Sequence, residues 1–248
     1  MDNPFSLDGK TIFITGASSG IGRATAIECS KLGADLIITG RNRDRLENTF
    51  SELTKGNHQK FTADLSDPDE VGKLVKLLPN IDGAVFNAGK TERKPVGFIK
   101  PDTLQSVFDV NTISPILMTD KLVKQKKLNK PSSIVYTSSI AGVKNSSLGN
   151  SIYSTSKGAL HAFMKNAALD LASKGIRCNS VNPGVIDTKF LDDAGLTQDQ
   201  RDELAKRYPL KRLGRPEDVA HAIIYLLSDA SDWVTGTTLV IDGGYTLH

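Results

Sequence analysis

Tyr153 and Lys157 stand four residues apart in the stretch YSTSKGALHAF, which is rich in helix formers. On a helix that spacing stacks both side chains on one face, one turn apart. A phenol beside a fixed ammonium is a proton-transfer device. Free tyrosine titrates near pH 10, whereas an acid–base catalyst works best with a pKa near the operating pH. A downward shift of about three units requires roughly 4 kcal/mol of preferential phenolate stabilisation. A lysine close by in a water-poor site supplies much of that, because opposite charge favours the ionised form. The same pair on an exposed helix would be ordinary surface, so the case rests on what the chain places around it.

Holding such a pair requires a rigid frame. TIFIT at 11–15 is a short apolar, β-branched run that reads as a buried strand, followed by a helical pattern near 21–32 that closes at Gly33. Further strands are predicted at 35–39, 59–63, a segment ending at Asn87, 132–139, 177–184 and 237–241. Helices are predicted near 43–54, 68–78 and 102–128, over the stretch carrying Tyr153, and near 216–228; 188–212 is polar and helix-like. Strands alternating with helices of this length mean βαβ units. No internal repeat, low-complexity tract or linker-like composition interrupts them. The expected fold is α/β: one doubly wound Rossmann-type domain over 1–248, with a mostly parallel seven-stranded sheet, helices on both faces and a substrate lid at about 188–212.

Composition narrows the function classes. A hydrophobic share of 39% with 24% charged residues supports a sizeable core. The formal charge of +3, from 31 basic and 28 acidic residues, is too small to argue for a nucleic-acid partner. Cys29 and Cys178 form neither a metal spacing nor a disulfide framework and read as packing residues. His58, His161, His221 and His248 have no motif partners and read as surface or packing residues, so no metal is expected. No stretch suits a bilayer and the N-terminus is no signal peptide, which makes the cytoplasm the simplest location.

Gly16, Gly20 and Gly22 fall where the first strand turns into the first helix, with spacing Gly-x3-Gly-x-Gly. A backbone that hugs a pyrophosphate cannot carry Cβ atoms there, and the helix N-terminus offers free N–H groups and a positive dipole end. In a dinucleotide fold an acidic residue after the second strand bonds the ribose 2′-hydroxyl, whereas arginine accommodates a 2′-phosphate. This chain has Gly40-Arg41-Asn42 there, and no carboxylate before Asp44. Guanidinium binds phosphate through paired charge-assisted bonds. NADP(H) is therefore favoured, with Ser18 and Asn42 assisting Arg41, and NAD(H) stays possible; Arg41 as the opening of a solvated helix is the alternative.

TGASSGIG at 15–22, NAG at 87–89, Asn111, Ser139, YSTSK at 153–157 and NPG at 182–184 follow one another in the order of the short-chain dehydrogenase/reductase family. The chain resembles that family over essentially its whole length, and is similar to the 3-oxoacyl-carrier-protein reductases within it. The resemblance implies a catalytic set of Asn111, Ser139, Tyr153 and Lys157. Tyr153 would be the acid in reduction and the base in oxidation. Lys157 would hold the phenol pKa down and bond the nicotinamide ribose. Ser139 would bond the substrate oxygen, with Ser138 as a supporting hydroxyl; Gly142, three residues on, favours Ser139 over its neighbour. Asn111 would hold a water linking the lysine to solvent, or mark a backbone-bonded helix kink.

For the coenzyme, the resemblance implies contacts from Gly16, Ser18, Ser19, Gly20, Ile21 and Gly22, and from Arg41 and Asn42. Asp64 and Leu65 would form the adenine rim, and Asn87, Ala88 and Gly89 the floor beside the adenosine ribose. Pro183, Gly184, Ile186 and Thr188 would hold the nicotinamide end, with Asp187 shaping the loop. Phe86 stands where the family usually has a second asparagine, at a position expected to be buried. The gap of fourteen from Ser139 to Tyr153 predicts a loop insertion near 145–150.

The implied substrate is a small carbonyl compound or alcohol, chosen by residues 90–101, 143–152 and 188–212, with Arg93, Lys94 and Lys189 adding positive charge. An acyl carrier protein is a possible partner, docking on Lys121, Lys124, Lys126, Lys127 and Lys130 with Lys174, although that run also reads as one solvated helix end. A 3-oxoacyl-carrier-protein reductase and a catalytically silent nucleotide-binding regulatory protein are the alternative functions. The family also implies a homotetramer, built through the helices near 102–128 and 153–173 and the segment 216–248.

Overall fold

The computed structural model describes residues 3–188, 191 and 197–247. Lys189, His248 and most of 189–196 in the expected lid lie outside the described residues. In chain order the elements are β1 (Thr11–Thr15), α1 (Gly20–Lys31), β2 (Asp35–Gly40), α2 (Arg43–Ser51), β3 (Gln59–Thr62), α3 (Pro68–Leu77), β4 (Ile81–Phe86) and α4 (Pro101–Phe108). There follow α5 (Ser114–Lys124), β5 (Leu128–Thr137), α6 (Ser151–Ala172), β6 (Ile176–Pro183), α7 (Gln198–Lys206), α8 (Pro216–Leu227) and β7 (Thr238–Ile241).

The strands form one sheet in the order β3-β2-β1-β4-β5-β6-β7, and every pair is parallel, so the mostly parallel sheet expected from the sequence is wholly so. Alternate residues of each strand feed opposite faces. Phe13, Ile37, Ile134 and Tyr136 join Leu74, Met118, Leu160 and Met164 on the face covered by α3, α5 and α6. Ile12, Ile14, Leu36, Val85, Val135 and Val181 join Ala26, Val219 and Ile223 on the face covered by α1 and α8. Two-sided burial is why the strands read as continuous apolar runs.

Local chemistry sets the helix ends. Asp67 caps α3 by accepting from the Asp69 N–H, Pro68 occupies its first turn, and Pro216 does the same for α8. The single helix expected over 102–128 is broken. Residues Asp109–Ile113 form a π-helical turn, with the Ser114 N–H bonded back to the Asp109 carbonyl, and the helix ends at Lys124. The lysine run is accordingly not one helix end. Lys121 and Lys124 close α5, Lys126 takes a φ of 53°, Lys127 donates to the Leu78 carbonyl, and Lys130 lies in β5.

Candidate active site

The carboxyl ends of β1 and β4 meet where the strand order reverses direction, the place where open α/β sheets bind ligands. Gly16 has a φ of +67°, and a Cβ on it would lie 2.8 Å from the Ala88 Cα; a Cβ on Gly22 would lie 2.3 Å from the Gly16 carbonyl oxygen. The loop is thus folded tightly against the NAG segment. Thr15 ties the two together: its hydroxyl accepts from the N–H groups of Asn87 (3.0 Å) and Ala88 (3.1 Å). The Asn87 amide donates to the carbonyls of Thr15 and Gly16. Phe86 is buried, so the position where the family repeats asparagine belongs to the core.

At the start of α1, Ser19 makes no side-chain cap and the first turn holds no acidic residue. Its N–H groups and the dipole end fit an anionic pyrophosphate. Ser18 packs against Gly40, where an added Cβ would meet its hydroxyl at 3.0 Å, so Ser18 and Arg41 share one rim. Arg41 is exposed. Asn42 has a structural job that the sequence did not reveal: its side-chain oxygen accepts the Arg45 N–H at 2.9 Å and caps α2. Asp64 bonds the N–H and hydroxyl of Ser66, which holds its carboxyl below the usual range; Arg41 and Lys90 add to that effect. Leu65 beside it is buried.

Tyr153 and Lys157 lie on α6, with the Lys157 Nζ 5.9 Å from the Tyr153 ring centre. Lys157 is buried and donates to the Thr137 carbonyl at 2.7 Å. Burial brings its pKa down to about 8. The Tyr153 phenol moves the other way from the expectation: burial raises it above its ordinary value of 10, and a hydrogen bond with Ser139 offsets part of the rise. The ammonium spends one of its three donors on that carbonyl.

Ser139 reaches Tyr153 because its loop is clamped on both sides. Gly142 has a φ of +81°, and a Cβ there would lie 2.0 Å from the Ser154 carbonyl oxygen, so only glycine lets the loop seat on α6. The Asn182 amide donates to the Ser139 carbonyl at 2.9 Å, and the Ile140 N–H donates to the Pro183 carbonyl. Ser138 turns away from Tyr153 and donates to the Lys157 carbonyl at 3.0 Å.

Asn111 sits in the π-helical turn, fully buried. Its carboxamide accepts the Lys90 N–H (2.7 Å) and donates to the Lys90 carbonyl (2.8 Å) and the Ser156 hydroxyl (3.0 Å). The side chain is therefore a clamp between the NAG segment and α6, and the distorted helix is its backbone expression. A Cβ on Gly89 would lie 3.6 Å from both the Asn111 Oδ1 and the Lys157 Nζ, so three of the expected site segments converge there.

The loop after β6 is pinned from behind. The Val185 N–H donates to the Tyr208 hydroxyl at 2.9 Å, and the Asp187 N–H donates to the Gly214 carbonyl at 2.7 Å. Asp187 pairs with Arg201 on α7 at 3.0 Å. Thr188 meets Gly20, whose added Cβ would lie 3.2 Å from the threonine methyl, closing the crevice over the glycine loop. A cavity of about 330 Å³ bounded by Val185, Tyr208, Arg212 and Asp242 contains none of Asn111, Ser139, Tyr153 and Lys157. Sequence reasoning passed over Thr15, Thr137 and Asn182 as functional supports. The NPG motif pointed at Asn182, but the distance between strands hid its partner.

Among the described residues no helix is long and apolar enough to cross a membrane, and no group of three or more His, Cys, Asp and Glu side chains is placed to hold a metal. The family model described as enoyl-(acyl carrier protein) reductase matches residues 16–246. A 3-oxoacyl-(acyl-carrier-protein) reductase of Rickettsia conorii is 34% identical over 96% of this chain and 97% of its own length. An L-rhamnose 1-dehydrogenase (NAD(P)(+)) of Sphingomonas sp. is 35% identical, with 96% of each chain covered. Among solved structures, a short-chain type dehydrogenase/reductase from Mycobacterium marinum superposes with a TM-score of 0.89 at 32% identity, covering 99% of this chain and 98% of that one. A putative 2-deoxy-D-gluconate 3-dehydrogenase from Agrobacterium tumefaciens with bound NADP gives 0.88 at 27% identity, with both chains covered in full.

Proposed function

The chain belongs to the short-chain dehydrogenase/reductase family of oxidoreductases, and from that premise we propose that it interconverts a carbonyl and a secondary alcohol using NADP(H). When bound, the nicotinamide supplies or accepts the hydride. The chain's own residues orient the carbonyl and move the proton. The Ser139 hydroxyl bonds the substrate oxygen and stabilises its developing charge. The Tyr153 phenol, neutral at physiological pH because burial raises its pKa, donates the proton to that oxygen in reduction. In oxidation the phenolate accepts the proton from the alcohol oxygen. Lys157, fixed by the Thr137 carbonyl, offers its remaining donors to the nicotinamide ribose. Arg41, with Ser18 on the same rim, binds the 2′-phosphate. The observation that carries the reading is the Tyr153–Ser139 hydrogen bond beside a buried Lys157.

A second reading, reduction of a 3-oxoacyl group on an acyl carrier protein, has its own support. The loops 91–100 and 143–150 are joined by the Lys94 N–H bond to the Gly149 carbonyl. They expose Val96, Phe98 and Leu148, with Arg93, Lys94 and Lys144 around them. That mouth suits an apolar chain on an anionic carrier, whereas a sugar would find few partners on it. We propose a homotetramer in the cytoplasm for either reading. The deciding experiment follows NADPH oxidation with acetoacetyl-carrier protein, free medium-chain ketones, keto-sugars and steroid ketones, and repeats each with NADH. Turnover on the carrier substrate alone selects the second reading. No turnover on any of them, with NADPH still bound tightly, would select a silent binding protein.

A further inference from the structure

Two buried side-chain oxygens at the carboxyl edge of the sheet, Thr137 Oγ1 and Asn182 Oδ1, have no hydrogen-bond partner among the described residues. Asn182 still engages Ser139 through its amide nitrogen. Thr137 has nothing for its hydroxyl, and it is 6% exposed. Every other buried threonine among the described residues is bonded: Thr15, Thr25, Thr39, Thr49, Thr112 and Thr119 each reach a carbonyl. A buried hydroxyl left unpaired lowers stability, and such a group in a native fold requires a reason.

Its direction supplies one. Along β5, Ile134 and Tyr136 belong to the core under α5 and α6, and Val135 belongs to the core under α1 and α8. By alternation Thr137 faces the α1 side, as does its register partner Val181. On that side, at that edge, the glycine loop and Thr188 come together, and Ile186 belongs to the same core. The hydroxyl therefore sits at the floor of the crevice between the glycine loop and the loop after β6, while the carbonyl of the same residue holds Lys157.

We propose that the Thr137 hydroxyl is a binding contact for the nicotinamide–ribose end of the coenzyme, an inference that rests on the dinucleotide reading above. The ligand completes the bond the fold omits. Thr137→Val keeps the shape and β-branching and removes the hydroxyl; Thr137→Ser keeps the hydroxyl. Fluorescence titration should show NADPH bound roughly five- to tenfold more weakly by Thr137→Val. Affinity for 2′-phospho-ADP-ribose, which lacks the nicotinamide, should be unchanged, and Thr137→Ser should restore NADPH binding. Without any ligand, Thr137→Val should melt about 2–4 °C higher, because an unpaired buried hydroxyl is gone. Unchanged NADPH affinity, equal losses for both ligands, or a lower melting temperature would each overturn the proposal. Wild-type protein that binds neither NADPH nor NADH would instead overturn the dinucleotide reading, and this contact with it.

Discussion

Lys157 and Arg41 are the two cations that the proposed function assigns to the coenzyme, and the fold treats them in opposite ways. Lys157 is 3% exposed, bonded to the Thr137 carbonyl, and pushed down to about 8 by burial. Arg41 lies in solvent at the end of β2, beside Ser18 and within electrostatic reach of Asp64. Burying an ammonium is unfavourable in itself, and among the described residues Lys157 is the one buried lysine. An exposed guanidinium carries little such penalty. On the proposed function the reacting end is fixed in advance by packing, whereas coenzyme choice would rest on a replaceable surface residue.

The largest test of this contrast is at the buried end. Tyr153→Phe should lower turnover by ~10³-fold or more while NADPH still binds, as read by NADPH consumption and a fluorescence titration. Comparable turnover would remove Tyr153 from proton transfer. At the exposed end, Arg41→Asp should reverse the preference between NADPH and NADH by about 100-fold in the ratio of kcat/KM values, roughly 3 kcal/mol. An unchanged ratio would return Arg41 to the role of an ordinary helix opener. Next is the clamp that brings Ser139 to Tyr153. Gly142→Ala should destabilise the protein by about 2–3 kcal/mol in urea unfolding, and reduce turnover further than stability explains. Gly97→Ala, also at positive φ but with open space around the added Cβ, should lose only about 1 kcal/mol.

A separate effect concerns pH. Lys157 titrates lower in the folded chain than in the unfolded one, so the unfolded chain binds more protons between about pH 8 and 10.5 and stability should rise across that window. The gain should be on the order of 2 kcal/mol. Tyr153 acts in the opposite sense above about pH 10, because its phenol stays protonated in the fold after it has ionised in the unfolded chain. Urea unfolding across this range should therefore show a rise that Lys157→Met abolishes. A flat profile in the wild type would mean that the ammonium is better solvated than its burial implies.

Much of this was legible in the sequence. The strands are short apolar runs buried on both faces, and the glycines mark turns whose geometry excludes other residues. The helical spacing of Tyr153 and Lys157 is a purely local property. What escaped involves partners distant in the chain. Asn42, expected to assist Arg41, also caps α2 through its side-chain oxygen. Asn111 clamps Lys90 and Ser156, twenty-one and forty-five residues away. Asn182 holds Ser139 across two strands, with forty-three residues between them.

The sequence by itself determined which residues face each other one helical turn apart, where the backbone must turn without a side chain, and which rim carries a guanidinium rather than a carboxylate. These follow from spacing and residue type. Only the tertiary structure decided the protonation of the site. A phenol one helical turn from a lysine is expected to be acidified, but in the fold the ammonium bonds the Thr137 carbonyl and desolvation moves the half-buried phenol upward. Charge placement is written in the chain; dielectric and hydrogen-bond partner are written in the packing.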